Sequence, residues 1–147
     1  MQIQTKFLGE VDIQEEEIIV FEDGIPGLEE YRQFVILSLG EEMPFSVLQS
    51  LEEAQIGFIL ADPFKIKQDY AFDLPDNEKE SLAIVTPTEV ITQVVVSVKE
   101  PFEQSTINLL APIIINVNNR KAKQIILQDN LKFPIRYPLY ALEGSAK

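Results

Sequence analysis

The side chains of this sequence that could do chemistry are almost all carboxylates. Its 147 residues hold 24 acids and 12 bases, with no histidine and no cysteine. The usual general base near neutral pH and the commonest metal ligand are both histidine, so both are missing. Ser-His-Asp and Cys-His triads, most zinc sites and all disulfides fall away with them. What survives is a glycosidase-like acid pair or an oxygen-ligand calcium or magnesium site, for which Asp62, Asp69 and Asp73 are the candidates. These aspartates flank proline and aromatic residues, as turn and strand-edge residues do. Neither EF-hand spacing nor a glycine-rich phosphate loop accompanies them. A carboxylate-based hydrolase or a small-ligand-binding β-barrel is therefore the alternative reading. No catalytic residue, cofactor or metal is assigned.

The placing of the charge says more. Residues 1–53 carry 13 acids against two bases, Lys6 and Arg32, while residues 54–147 carry 11 against ten. Almost the whole net charge of −12 belongs to the first third. A one-signed field of this kind repels nucleic acid and anionic lipid, and it speeds encounter with basic protein surfaces. The inference is a protein that binds a protein, one whose own partner has a basic face. The opposing reading is a solvated acidic surface that only keeps the chain soluble.

Length and pattern then set the scaffold. A chain of this size makes one domain that buries roughly 70% of its unfolded surface. No apolar run approaches the roughly 20 residues that span a bilayer, and MQIQTKF lacks the order of a signal peptide. The cytoplasm is the default, with no membrane partner. Alternation at residues 2–7 and 70–74, and apolar runs at 18–21, 34–39, 45–51 and 57–61, read as strands. β-Branched runs at 82–86, 90–98, 106–110, 113–117 and 122–128 continue the series. Asn118-Asn119 marks a hairpin, since Asn tolerates positive φ. Residues 40–44 and 52–55 are breaks, 28–32 a short helical turn, and 76–81 a helix with Asp76 as its N-cap. The expectation is a mainly β, single-domain antiparallel β-barrel or roll with one or two short helices. It spans residues 1–143, with a loose tail at 144–147. Val94, Val96, Ile113, Ile115 and Ile126 should lie in its core.

Three segments exceed generic β sequence. In Phe21-Glu22-Asp23-Gly24-Ile25-Pro26-Gly27-Leu28-Glu29, two glycines and a proline make a rigid loop. Ile25 and Leu28 plug into the core, and Glu22, Asp23, Glu29 and Glu30 are displayed. Together with the run Glu15, Glu16, Glu17, these acids are candidate partner contacts. In residues 108–116, Pro112 marks an edge, bulge or break, and Asn108 and Asn116 supply amides where a ladder stops. An exposed edge there would accept a partner segment by strand addition, which makes Asn108, Pro112 and Asn116 candidate contacts too. The third is a basic island of Arg120, Lys121, Lys123, Lys132 and Arg136, read as a solvated hairpin tip. Only Phe133 and Tyr137 could stack on bases there, so direct nucleic-acid binding is rejected.

At these segments the chain resembles the FliW family of flagellar assembly factors. The likeness rests on residues 21–29, on Ala61-Asp62-Pro63-Phe64 with Asp69-Tyr70, and above all on residues 106–116 with Asn119-Arg120-Lys121-Ala122. It runs from Met1 to about Leu139. The resemblance implies a cytoplasmic β protein without enzymatic activity. It implies two partners taken in turn, flagellin and the RNA-binding translational regulator CsrA. Binding of CsrA would relieve repression of flagellin translation, and newly made flagellin would compete and restore it. The family offers no catalytic residues to carry over.

Overall fold

The computed structural model describes residues 1–39, 44–129 and 131–139. The predicted tail at 144–147 and most of the break at 40–44 lie outside them. Eleven strands are described: β1 Gln2–Gln4, β2 Glu10–Asp12, β3 Ile19–Val20, β4 Gln33–Ser38, β5 Phe45–Ser50, β6 Gly57–Ala61, β7 Val90–Ser97, β8 Thr106–Ile107, β9 Ile113–Asn116, β10 Lys121–Gln124 and β11 Tyr137–Pro138. Two short α-helices, α1 Pro63–Ile66 and α2 Asp76–Ser81, join them.

Seven strands close a barrel in the order β7-β6-β5-β4-β3-β10-β9, with β9 returning to β7. All these pairings are antiparallel except β3 with β10, a parallel contact at Val20 and Lys121. Long β7 meets β6 along one edge and two neighbours along the other. Its first half pairs with β9, while Val96 and Ser97 pair with β8, which in turn pairs with β11. Strands β1 and β2 form a separate hairpin, docked by buried Gln49, whose side-chain oxygen accepts the Lys6 N–H at 2.9 Å.

Alternation explains the filling. Ile113 and Ile115 join Ile19, Phe21, Phe34, Leu48 and Leu60 in one cluster, while Ile114 between them joins Leu82 and Ile125 in another. A strand's side chains alternate faces, so the first cluster fills the barrel and the second lies outside it, under α2. A third cluster of Ala61, Tyr70, Val94, Val96, Ile107, Leu109 and Phe133 backs β6, β7 and β8.

Several predicted elements take another form. Ile126 is 63% exposed rather than in the core. The strand ends at Gln124, and Ile125 and Leu127, whose N–H groups bond the Pro112 and Leu110 carbonyls, pack into the cluster outside the barrel instead. Residues 82–86 are not a strand. Ala83 sits at φ 54, and the Leu82 carbonyl accepts the side-chain amides of Asn116 and Asn119. Residues 28–32 make two successive turns, Leu28 to Ile25 and Tyr31 to Leu28, rather than a helix. Helix α2 has the predicted span, with Pro75 rather than Asp76 as N-cap. Helix α1 was not predicted, although Asp62-Pro63 signals it: the aspartate oxygen caps Phe64 N–H at 2.9 Å, and proline suits the first turn. At Asn118-Asn119 the hairpin forms, but the left-handed residue is Arg120, at φ 60.

Candidate partner-binding surface

Acidic residues 15–17 form one turn of 3-10 helix, locked by its own ends. Glu17 Oε1 accepts the Gln14 N–H at 3.2 Å in a capping box. Arg120 reaches across from the β9–β10 hairpin and donates from Nη2 to the Glu17 carbonyl at 2.9 Å. The Arg120 carbonyl meanwhile accepts the Val20 N–H. Glu15 and Glu16 are exposed, and their carboxylates bond nothing among the described residues; Glu17 is half-buried and structural.

The glycine-proline loop holds its acids differently. Ile25 is buried and Leu28 packs against the barrel interior, as predicted. Glu22 pairs with Lys121 at 3.0 Å and Asp23 with Lys123 at 3.5 Å, so part of the acidic third is folded onto the basic island. Glu29 accepts the Gly27 N–H at 3.0 Å, a bond that holds its carboxyl below the usual range. Glu30 approaches Tyr31 and, ahead of burial and of Glu53 and Glu52, pushes that phenol up. Glu30, Glu52 and Glu53 thus gather around one half-buried tyrosine. Glu52 and Glu53 were missed in the sequence, because the β4–β5 register brings them there: Glu52 Oε1 accepts the N–H groups of Arg32 and Gln33.

Lys123 ties loop and helix together, with Nζ 2.6 Å from Glu78 Oε1. The Glu78 bond, opposed by burial, raises its ammonium above the ordinary 10.5. A raised lysine contributes in full at neutral pH and loses its contribution as pH climbs through the folded value. Lys123→Met should therefore cost about 1 kcal/mol at pH 7, a difference that shrinks in melts as the pH climbs above the ordinary lysine value. A constant difference across that range would assign the loss to packing alone.

Residues 108–116 hold a break but no edge. Pro112 is buried and stands just before β9, and its carbonyl accepts Ile125 N–H. Barrel closure pairs β9 with β10 on one side and β7 on the other, so the expected exposed edge is absent there. Asn108 accepts the N–H groups of Leu110 and Ala111 where the ladder stops. Asn116 is 1% exposed; it donates to the carbonyls of Leu82 and Ala83 and accepts the Asn118 N–H.

The candidate aspartates occupy separate roles. Asp62 caps α1, Asp69 pairs with Lys67, and Asp73 lies beside a surface cavity. Among the described residues, no group of three acids is placed to hold a metal. The barrel interior is filled with side chains, and a cavity of about 530 Å³ lies outside it, between residues 64–74 and 84–92. No helix among the described residues is long and apolar enough to cross a membrane.

The family model described as FliW protein matches residues 2–139. The chain is 45% identical over 139 residues to the flagellar assembly factor FliW of Bacillus subtilis (strain 168), covering 95% of this chain and 96% of that one. It is 48% identical over 130 residues to the flagellar assembly factor FliW of Bacillus pumilus (strain SAFR-032), covering 88% and 90%. A crystal structure of the flagellar assembly factor FliW superposes with a TM-score of 0.89 at 42% identity, covering 95% and 96%.

Proposed function

The chain belongs to the FliW family of flagellar assembly factors, and we propose that it acts in the cytoplasm as a non-enzymatic partner switch, holding flagellin in one state and the translational regulator CsrA in the other. In the second state it relieves repression of flagellin translation. The observation that carries this reading is the rigid acidic turn, where Glu15 and Glu16 stand exposed beside a hairpin that already neutralises Glu22 and Asp23. A regulator that grips RNA through basic groups is drawn to such a surface, and RNA is repelled from it. The cluster Glu30, Glu52 and Glu53 extends the field, and Glu29 lies in the same loop as Glu30.

Glu17 is best left alone in testing this, since it holds its own turn. The double reversal Glu15→Lys with Glu16→Lys should weaken the CsrA complex on the order of 10- to 100-fold at low salt and flatten its salt dependence. Exposed acids contribute little to stability, so the melting temperature should hold. Titration calorimetry at two ionic strengths reads both quantities. Unchanged affinity and unchanged salt slope would move the contact off this turn.

A further inference from the structure

Residues 70–74 have the side-chain pattern of a strand and none of its bonds. Tyr70 is buried and Phe72 and Leu74 are half-buried, while Ala71 and Asp73 face solvent. The inward side chains pack on the outer clusters, and the Tyr70 hydroxyl donates to the Leu109 carbonyl at 2.8 Å. Yet no backbone N–H or C=O of residues 71–74 bonds another group among the described residues. Main-chain groups left open at a surface are a template for another strand.

The surroundings fit that use. The 530 Å³ cavity beside this segment is walled by Phe64, Phe72, Leu74, Ile84 and Val85, and Val85 is 84% exposed at its lip. A second cavity of about 450 Å³, reaching Leu127 and Phe133, flanks the same residues 71–73. A polar backbone edge beside an apolar recess is what strand addition requires: the edge gives affinity and the recess takes alternate side chains.

We propose that residues 71–74 receive an extended segment of a partner protein by strand addition, its alternate apolar side chains seated in the larger cavity. Four residues span about 13 Å, so the core of the segment is about four to six residues long. Asp73 lines both cavities, with Lys79 in the first and Asp129 and Lys132 in the second, so the local charge balances and the segment is uncharged, while the chain as a whole carries −12. The same charge sets a second copy of this chain against itself as the occupant. The inference stands apart from the partner switch, because neither the acidic turn nor its partner enters it.

In a strand, the N–H and C=O of one residue share an edge and those of its neighbour face the other. Residues 71 and 73 therefore serve one edge, and 72 and 74 the other. The test uses isotope-labelled protein and the neutral peptide acetyl-Thr-Val-Thr-Val-Thr-Val-amide at about 0.5 M salt, where surface charge is screened. Slowed hydrogen exchange is expected at the amides of 71 and 73, or of 72 and 74, and not at all four. Of two peptides N-methylated on alternate residues, one should bind and the other should not. Val85→Asp, at an exposed position, should weaken binding roughly tenfold or more with the melt unchanged. The proposal is overturned by any of five results: no saturable shift at about millimolar peptide, shifts confined to the acidic turn, equal binding of both methylated peptides, full binding by Val85→Asp, or self-association that protects these amides without peptide.

Discussion

Gly24→Ala is expected to lower the melting temperature by roughly 10 °C and to loosen the acidic loop. Gly24 sits at φ +71, and a Cβ there would stand 2.4 Å from the Glu29 Cα and 2.7 Å from its carbonyl oxygen. Both are backbone atoms, so no side chain can swing aside. The left-handed dihedral and the clash together should cost about 3 kcal/mol or more. At this chain length each kcal/mol moves the melt by about 2–4 °C. Gly27→Ala is the control. Gly27 lies at φ +85 with nothing within 4 Å of the added carbon, so only the dihedral penalty of about 1 kcal/mol applies. Equal losses in the two variants, read by circular dichroism melts, would show that the close approach to Glu29 does not constrain the loop.

Asn116→Leu should cost about 2–4 kcal/mol, while the proposed flagellin binding, per folded molecule, stays level. The side chain is buried, and its amide bridges the end of β9 to the carbonyls of Leu82 and Ala83 beyond α2. Leucine fits the strand but removes three hydrogen bonds, of which the one to the Leu82 carbonyl is buried. Asn119 still donates to Leu82 at 3.0 Å, which keeps the loss at the lower end of what an orphaned buried network costs. Thermal melts beside titration calorimetry separate the outcomes. Binding that falls while the melt holds would make Asn116 a contact rather than a brace.

The contrast between Ile126 and Val94 shows what the sequence makes legible. Val94 and Val96 lie in a long β-branched alternation, and both are buried. Ile126 sits in an apolar run too, but Ile125 meets Pro112, which accepts its N–H and has none to return, so the ladder ends early. Periodicity identifies a strand; it does not say where a neighbour's proline stops it. Tyr70, Phe72 and Leu74 make the same point, since their alternation reports packing on one face and not a ladder on either edge. The acidic loop was readable because glycine and proline act locally. The union of Glu30 with Glu52 and Glu53 was not, because it depends on the pairing of Phe34 with Ser50. Arg120 reads in the sequence as one charge of a basic island, yet its guanidinium and its carbonyl bond Glu17 and Val20, about a hundred positions away, a distance no local pattern spans.

That last contact governs the order of events during synthesis. Strands β4, β5 and β6 follow closely in the chain, and they can pair as soon as they leave the ribosome. Ring closure waits for β10, since only then can Val20 meet Lys121. Nonlocal pairing of this kind makes folding slow relative to local meanders. The acidic turn waits too, because its clamp is Arg120. A nascent chain shorter than that carries the acids of the first third without the shape that presents them. It is charged early and acquires its clamped turn late.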